Sequence, residues 1–282
     1  MAENLQLLKR RIKTAKNVSQ IAKAMEMMSA SKIKRAQTTV ENNKPYAKKV
    51  ESLTFRLVKK VDRKKFKHPY IDGNKSSNKL LLVVSPDRGL CGSLNTNLFK
   101  ALTLQENTET TLITVGRKVE KFAARLSFNF LAAFPMGTTI PKFENVYEIL
   151  KIINEQYNSG KVGSVEILFT EFKSFFLQTP KITKILPIDT SLSEEEDNDL
   201  YHLYEPGSTK LLEGILPQYL EASLYSALLE AYTSEQVARM IAMQNAKTNA
   251  NEIATYLTLA YNKSRQERIT NEILDLSNNQ LN

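Results

Sequence analysis

Along the first stretch of the chain, apolar positions recur every three or four residues. Leu5, Leu8, Ile12 and Ala15 step in this way, and Val18, Ile21, Met25 and Met28 do the same on a slightly rotated stripe. This is the 3.5-residue spacing of a coiled-coil seam, and Ala22, Ala24, Ser29 and Ala30 supply small side chains that let two helices approach closely. Pro45 reads as a kink or pause rather than an end, because Val50, Leu53, Leu57 and Val61 resume the spacing. At the other end Ala242, Ala246, Ala250, Ile253, Leu257 and Ala260 step by four, four, three, four and three, and Ile269, Ile273 and Leu276 continue an apolar stripe.

Helix-breaking residues divide the chain in the same way. All nine prolines lie between Pro45 and Pro217, and all nine glycines between Gly73 and Gly214. Gln218–Asn282 therefore contains neither, and as one helix rising about 1.5 Å per residue it would be roughly 100 Å long. A helix of that length needs a partner to cover its apolar face, and the N-terminal arm offers one. The expectation is two long helices pairing antiparallel, residues 1–67 and 209–282, with residues 68–208 inserted between them.

From Lys79 the period changes. Leu80–Ser85 is a short, wholly apolar run of the kind buried on both faces of a sheet, and Thr111–Val115, Val165–Phe172 and Phe175–Ile188 read as further strands. Helical stretches Asn95–Gln105, Arg117–Leu126 and Phe143–Tyr157 fall between them, and His68–Asn78 reads as a loop. Alternating strands and helices predict an α/β domain around a mainly parallel sheet. The acidic run Ser191–Asp199 reads as a solvated boundary loop, with helical character returning at Lys210.

Composition narrows the function classes. No apolar run approaches the ~20 residues that span a bilayer. The N-terminus has no apolar core followed by a small-residue cleavage site, which argues against a secretory signal. A single cysteine, Cys91, excludes an internal disulfide. The net charge of +9 is unevenly spread: residues 1–67 hold 19 lysines and arginines against five acids, whereas the remainder holds 20 against 25. That arm suits an acidic partner, or it is a solvated helix face.

Candidate chemistry is sparse. Gly89-Leu90-Cys91-Gly92-Ser93 sits where phosphate loops sit, after a strand and before a helix, but its spacing fits neither dinucleotide nor P-loop patterns. A tight turn is the simpler reading. Cys91 lacks a histidine partner in sequence context, since only His68 and His202 occur, and one cysteine with two histidines makes no zinc set. No catalytic residues, cofactor or metal are therefore assigned. Nucleic acid would meet Lys9, Arg10, Arg11, Lys13 and Lys16, but the arm lacks aromatic stacking residues before Tyr46.

Three separated motifs, Arg11–Gln37 (RIKTAKNVSQIAKAMEMMSASKIKRAQ), Ser85–Phe99 (SPDRGLCGSLNTNLF) and Ser234–Ile273 (SEQVARMIAMQNAKTNANEI to RQERITNEI), resemble the gamma subunit of bacterial F-type ATP synthase. The resemblance implies a Rossmann-like α/β domain beside a long antiparallel coiled coil. It also implies a non-catalytic rotor shaft, turned by proton flow, inside a head of three alpha and three beta subunits. Further partners would be the epsilon subunit and the membrane c-ring, with no nucleic acid, on the cytoplasmic side of the bacterial inner membrane. In the family pattern Met25 faces the moving segment of the beta subunits, and Arg265, Gln266, Thr270 and Glu272 make catch-like contacts with the head. Lys9, Arg10, Arg11, Lys13, Lys16, Lys32, Lys34 and Arg35 would face acidic loops of the head, and Tyr204 and Glu205 would meet the c-ring. This chain departs from the pattern at His202, where a tyrosine is usual, at Ser93 in place of a glycine, and in its polar tail beyond Ile273. A coiled-coil scaffold or nucleic-acid-binding protein carrying an α/β domain is the alternative, ahead of a Rossmann-type enzyme with helical arms.

Overall fold

The computed structural model describes residues 5–62, 66–106, 109–189, 204–205 and 207–279. The acidic run Ser191–Asp199 and His202 lie outside these. The chain forms two compact units, Met1–Ala30 with Arg239–Asn282, and Ser31–Ala238. Two long helices contribute to both: α1 (Leu5–Lys60, 56 residues) and α6 (Ser208–Asn279, 72 residues). Pro45 lies inside α1, and Pro217 inside α6, without ending either helix.

In the first unit the start of α1 pairs with the end of α6. The buried positions on α1 are Leu8, Ala15, Ser19, Ala22 and Ser29, with Ile12 and Glu26 half-buried between them. Their steps alternate four and three, so one heptad register holds. The facing positions on α6 are Met243, Ala250 and Ala254, followed by partly buried Leu257, Tyr261 and Ser264. The second stripe expected on α1 is corrected here: Val18, Ile21 and Met28 are exposed and Met25 is only half-buried, as is Ile253 exposed on α6. Alanine and serine form the seam because their short side chains bring the backbones together, which leaves the larger apolar residues on the outside.

The second unit holds a five-stranded sheet of β1 (Lys79–Val84), β2 (Thr110–Val115), β3 (Asn129–Phe134), β4 (Ser164–Phe172) and β5 (Gln178–Leu186). Its order is β3-β2-β1-β4-β5, parallel except for the antiparallel β4–β5 pair. The short helix α2 (Pro69–Asp72) precedes β1, and α3 (Leu94–Thr103), α4 (Arg117–Ala123) and α5 (Asn145–Asn158) lie between successive strands. Every residue of β1 from Leu80 to Val84 is buried, as the unbroken apolar run requires. Leu80, Leu82 and Val84 join a core with α1, α5 and α6, while Leu81 and Val83 pack against Leu98, Leu102, Val119 and Ala123 of α3 and α4. Within this unit α1 and α6 run antiparallel, since Asn43 bonds Ser226 at 2.9 Å and Phe55 meets Tyr219 earlier on α6, with ring centroids 6.0 Å apart.

Three local differences from the sequence reading have physical causes. His68–Asn78 contains the short helix α2, opened by Pro69 and capped by the His68 ring, whose Nδ1 accepts the Tyr70 amide at 3.2 Å. Phe175–Leu177 is a turn rather than strand, so β5 starts at Gln178. Strand β3 carries no alternation to reveal it, because at the sheet edge most of its residues are exposed.

Candidate interaction surface

The loop after β1 decides whether the α/β unit could take a phosphate. The Asp87 carboxylate accepts the amides of Arg117 at 2.9 Å, Met136 at 3.3 Å and Gly137 at 2.9 Å, tying the carboxyl ends of β2 and β3 to β1. Ser85 Oγ accepts the Val119 amide at 3.0 Å. The amides at the ends of β2 and β3 are thus met by the protein's own side chains. Gly116 is required here: with φ +105°, a Cβ would lie 2.0 Å from the Ser85 carbonyl oxygen. Cys91 is buried, and its Sγ accepts from Asn95 Nδ2 at 3.3 Å. Ser93 precedes α3 in a helical conformation and makes no side-chain cap bond, so its role there is not that of a capping serine.

The crevice at the ends of β2 and β3, lined by Phe134, Met136, Glu144, Glu148, Ile149 and Leu228, encloses about 230 Å³. That is below the roughly 300–1,000 Å³ of small-molecule pockets. Among the described residues no group of three or more His, Cys, Asp or Glu is placed to hold a metal ion.

The surface of the first unit is a different matter. Lys9, Arg10, Arg11, Lys13 and Lys16 are all exposed, so this end of α1 presents cations around the small-residue seam. Met25 lies half-buried beside it. Lys247 Nζ meets Glu26 Oε2 at 2.6 Å, linking α6 to α1. From Arg265 to Leu274 every side chain of α6 is exposed, and α1 no longer covers it. Within that stretch the Thr270 hydroxyl donates to the Gln266 carbonyl at 3.0 Å, and Arg268 Nε meets Glu272 Oε1 at 2.8 Å. Ile269, Ile273, Leu274 and Leu276 stand exposed between these polar groups. Among the described residues nothing covers these apolar side chains.

The remaining residues singled out in sequence lie in the second unit. Lys34 and Arg35 are exposed, whereas Lys32 Nζ donates to the Thr138 carbonyl at 2.7 Å and so anchors the loop after β3. Tyr204 packs on the main core and lies under Lys60 Nζ, 4.9 Å from the ring centroid, while Glu205 is exposed. Glu230 was missed in sequence: it sits half-buried on α6, and burial, only partly offset by Lys181 and Lys44, raises its carboxyl above the usual range. Its place in a helical stretch gave no signal.

The family model described as ATP synthase matches residues 4–278. Among curated relatives, the ATP synthase gamma chain of Dehalococcoides mccartyi is 35% identical over 276 residues, covering 97% of this chain and 96% of the relative. The chain belongs to the ATP synthase gamma-chain family. A second member, from Pelotomaculum thermopropionicum, is 34% identical over 277 residues, covering 97% of this chain and 96% of that one. In fold, the chain is similar to one in the Euglena gracilis mitochondrial ATP synthase, in its OSCP/F1/c-ring structure, with a TM-score of 0.70 and 19% identity over 98% of this chain and 93% of that chain. Membership places the chain among the non-catalytic shaft subunits of the synthase rotor. No helix among the described residues is long and apolar enough to cross a membrane.

Proposed function

We propose that the chain is the central shaft coupling proton flow through a membrane c-ring to ATP synthesis in a head of three alpha and three beta subunits. The observation that carries this is the first unit: a slim, alanine- and serine-seamed helix pair, ringed by cations, from which α6 continues as an exposed, partly apolar helix. A shaft turning inside a ring needs stiffness and a surface whose contacts never lock, and it needs no reacting groups. Met25, Arg265, Gln266, Thr270 and Glu272 contact the head in this reading, with Lys9, Arg10, Arg11, Lys13, Lys16, Lys34 and Arg35 facing its acidic loops. Tyr204 and Glu205 belong to the foot on the c-ring, beside the epsilon subunit. Residues 1–67 and 209–282 act as the shaft and 68–208 as the domain at its base. The assembly sits peripherally on the cytoplasmic face of a bacterial inner membrane, held there through the c-ring rather than by lipid contact.

Two measurements test this. The chain should co-purify with a hexameric ATPase head at one copy per hexamer, and a different ratio or no association defeats the reading. Deleting Ser264–Asn282 should lower proton-driven ATP synthesis in membrane vesicles, and an unchanged rate would show that the exposed end makes no contact that matters.

A further inference from the structure

The sheet has two edges, and they are built differently. β5 carries Pro180, Lys181 and Lys184, residues that discourage another strand from pairing alongside. β3, of sequence NFLAAF, has no proline and no charge. Among the described residues it pairs with β2 on one side only, and a register slip between Leu112 and Ile113 leaves Leu131 without a ladder partner. Phe130 is 45% exposed and Leu131 37%, so an apolar strip accompanies the open row of backbone groups. An uncharged edge of this kind is a template for pairing with another chain.

The charge beside it selects the partner. Helix α4 joins β2 to β3, and Arg117, Lys118 and Lys121, with Arg125 just past its end, are exposed there against the single acid Glu120. Two copies of this chain joined antiparallel through β3 would bring two such helices to the same sheet face, cations against cations. An extended segment with alternating apolar and acidic residues would instead satisfy both the strand edge and the helix.

We propose that β3 is a docking edge on which another subunit of the synthase lays an extended, acidic and apolar segment as a sixth strand. This rests on the reading of the chain as a synthase subunit, and the two fail separately: co-purification with the enzyme tests the first, the state of β3 inside that enzyme the second. Hydrogen exchange followed by mass spectrometry should compare peptides spanning Asn129–Phe134 in the free chain and in the purified synthase. Outward-facing amides of β3 should exchange at least about tenfold more slowly in the synthase, as newly bonded strand amides do. A photoreactive benzoylphenylalanine at Leu131 in the intact enzyme should cross-link to a different subunit. Reversing charge with Lys118→Glu and Lys121→Glu should reduce both signals while β1 peptides exchange as before. Equal exchange in free and assembled chain, cross-linking to lipid or to a second copy, or protection appearing only as the free chain is concentrated would each overturn the proposal.

Discussion

Lys247 on α6 and Glu26 on α1 meet at 2.6 Å across the helix pair of the first unit, each side chain less than one-third exposed. Glu26 occupies a seam step between Ala22 and Ser29, so the pair closes the seam where no apolar side chain does. Partly exposed pairs of this kind contribute little, about 0.2–1 kcal/mol by double-mutant cycles. Glu26→Gln and Lys247→Met should show a coupling of that size in urea unfolding of the purified chain. A coupling above about 3 kcal/mol would make it the main clamp of the pair instead.

The seam makes a sharper prediction. Enlarging a buried small residue, as in Ala22→Leu or Ser29→Leu, should destabilise the chain by about 1–3 kcal/mol through overpacking. Truncating the larger neighbours, as in Ile21→Ala or Met28→Ala, should change stability by no more than about 0.5 kcal/mol, because both are exposed. The opposite ranking in thermal unfolding would mean that the two helices pack through the other face.

Gly116→Ala should be among the most damaging single changes. Its Cβ would meet the Ser85 carbonyl oxygen at 2.0 Å, and the positive φ adds about 1–3 kcal/mol of strain. Gly137→Ala serves as the control, since it shares a positive φ but has open space around its Cβ. Soluble expression of G116A with an unfolding midpoint equal to that of G137A would show that the strand end relaxes freely.

Burial holds the His68 ring below its usual pKa, opposed by the carboxylates of Glu213 and Asp72. A lowered folded-state value means that the unfolded chain binds the proton more readily. Stability from this residue is therefore present above about pH 6.5 and declines as pH falls from there through the folded pKa. Protonation also removes the Nδ1 lone pair that accepts the Tyr70 amide. His68→Asn, which keeps an acceptor but not the titration, should flatten the stability profile between pH 5 and 7. An NMR titration of the His68 ring with a midpoint above 6.5 would reverse the sign.

Glu230 gives the matching acid-side test. Its raised carboxyl pKa means that carrying the charge costs stability as pH rises through the folded value. Glu230→Gln should therefore stabilise the chain at pH 7 more than at pH 4. An equal effect at both pH values would show that Glu230 acts through packing alone.

The long helices and the parallel sheet were legible because each carries a repeated signal: breakers absent over long runs, and apolar blocks such as Leu80–Val84 between turn residues. The seam was legible in period but not in phase. Reading the large residues Val18, Ile21 and Met28 as the buried stripe follows the usual weight given to hydrophobicity, and it fails where closeness of approach matters more than buried area. β3 was invisible because an edge strand with exposed apolar residues breaks the inside-outside rule. At the exposed end of α6, the motif singled out Arg265, Gln266, Thr270 and Glu272, and only the structure shows that Glu272 and Thr270 bond within their own helix.

The passage of α6 from a paired to a solitary helix at Ser264 has a mechanical consequence. Where two helices pack along a seam, twisting one drags the other, so torsion is shared between two backbones and their interlocked side chains. Past that point a single ladder of backbone hydrogen bonds carries any torque, braced by the Lys263–Glu267 and Arg268–Glu272 pairs. The described end of α6 is therefore the most compliant part of this unit. Torsional stiffness in this unit belongs to the stretch where the two helices are coupled, Leu8 to Ser29 on α1 and Met243 to Ser264 on α6.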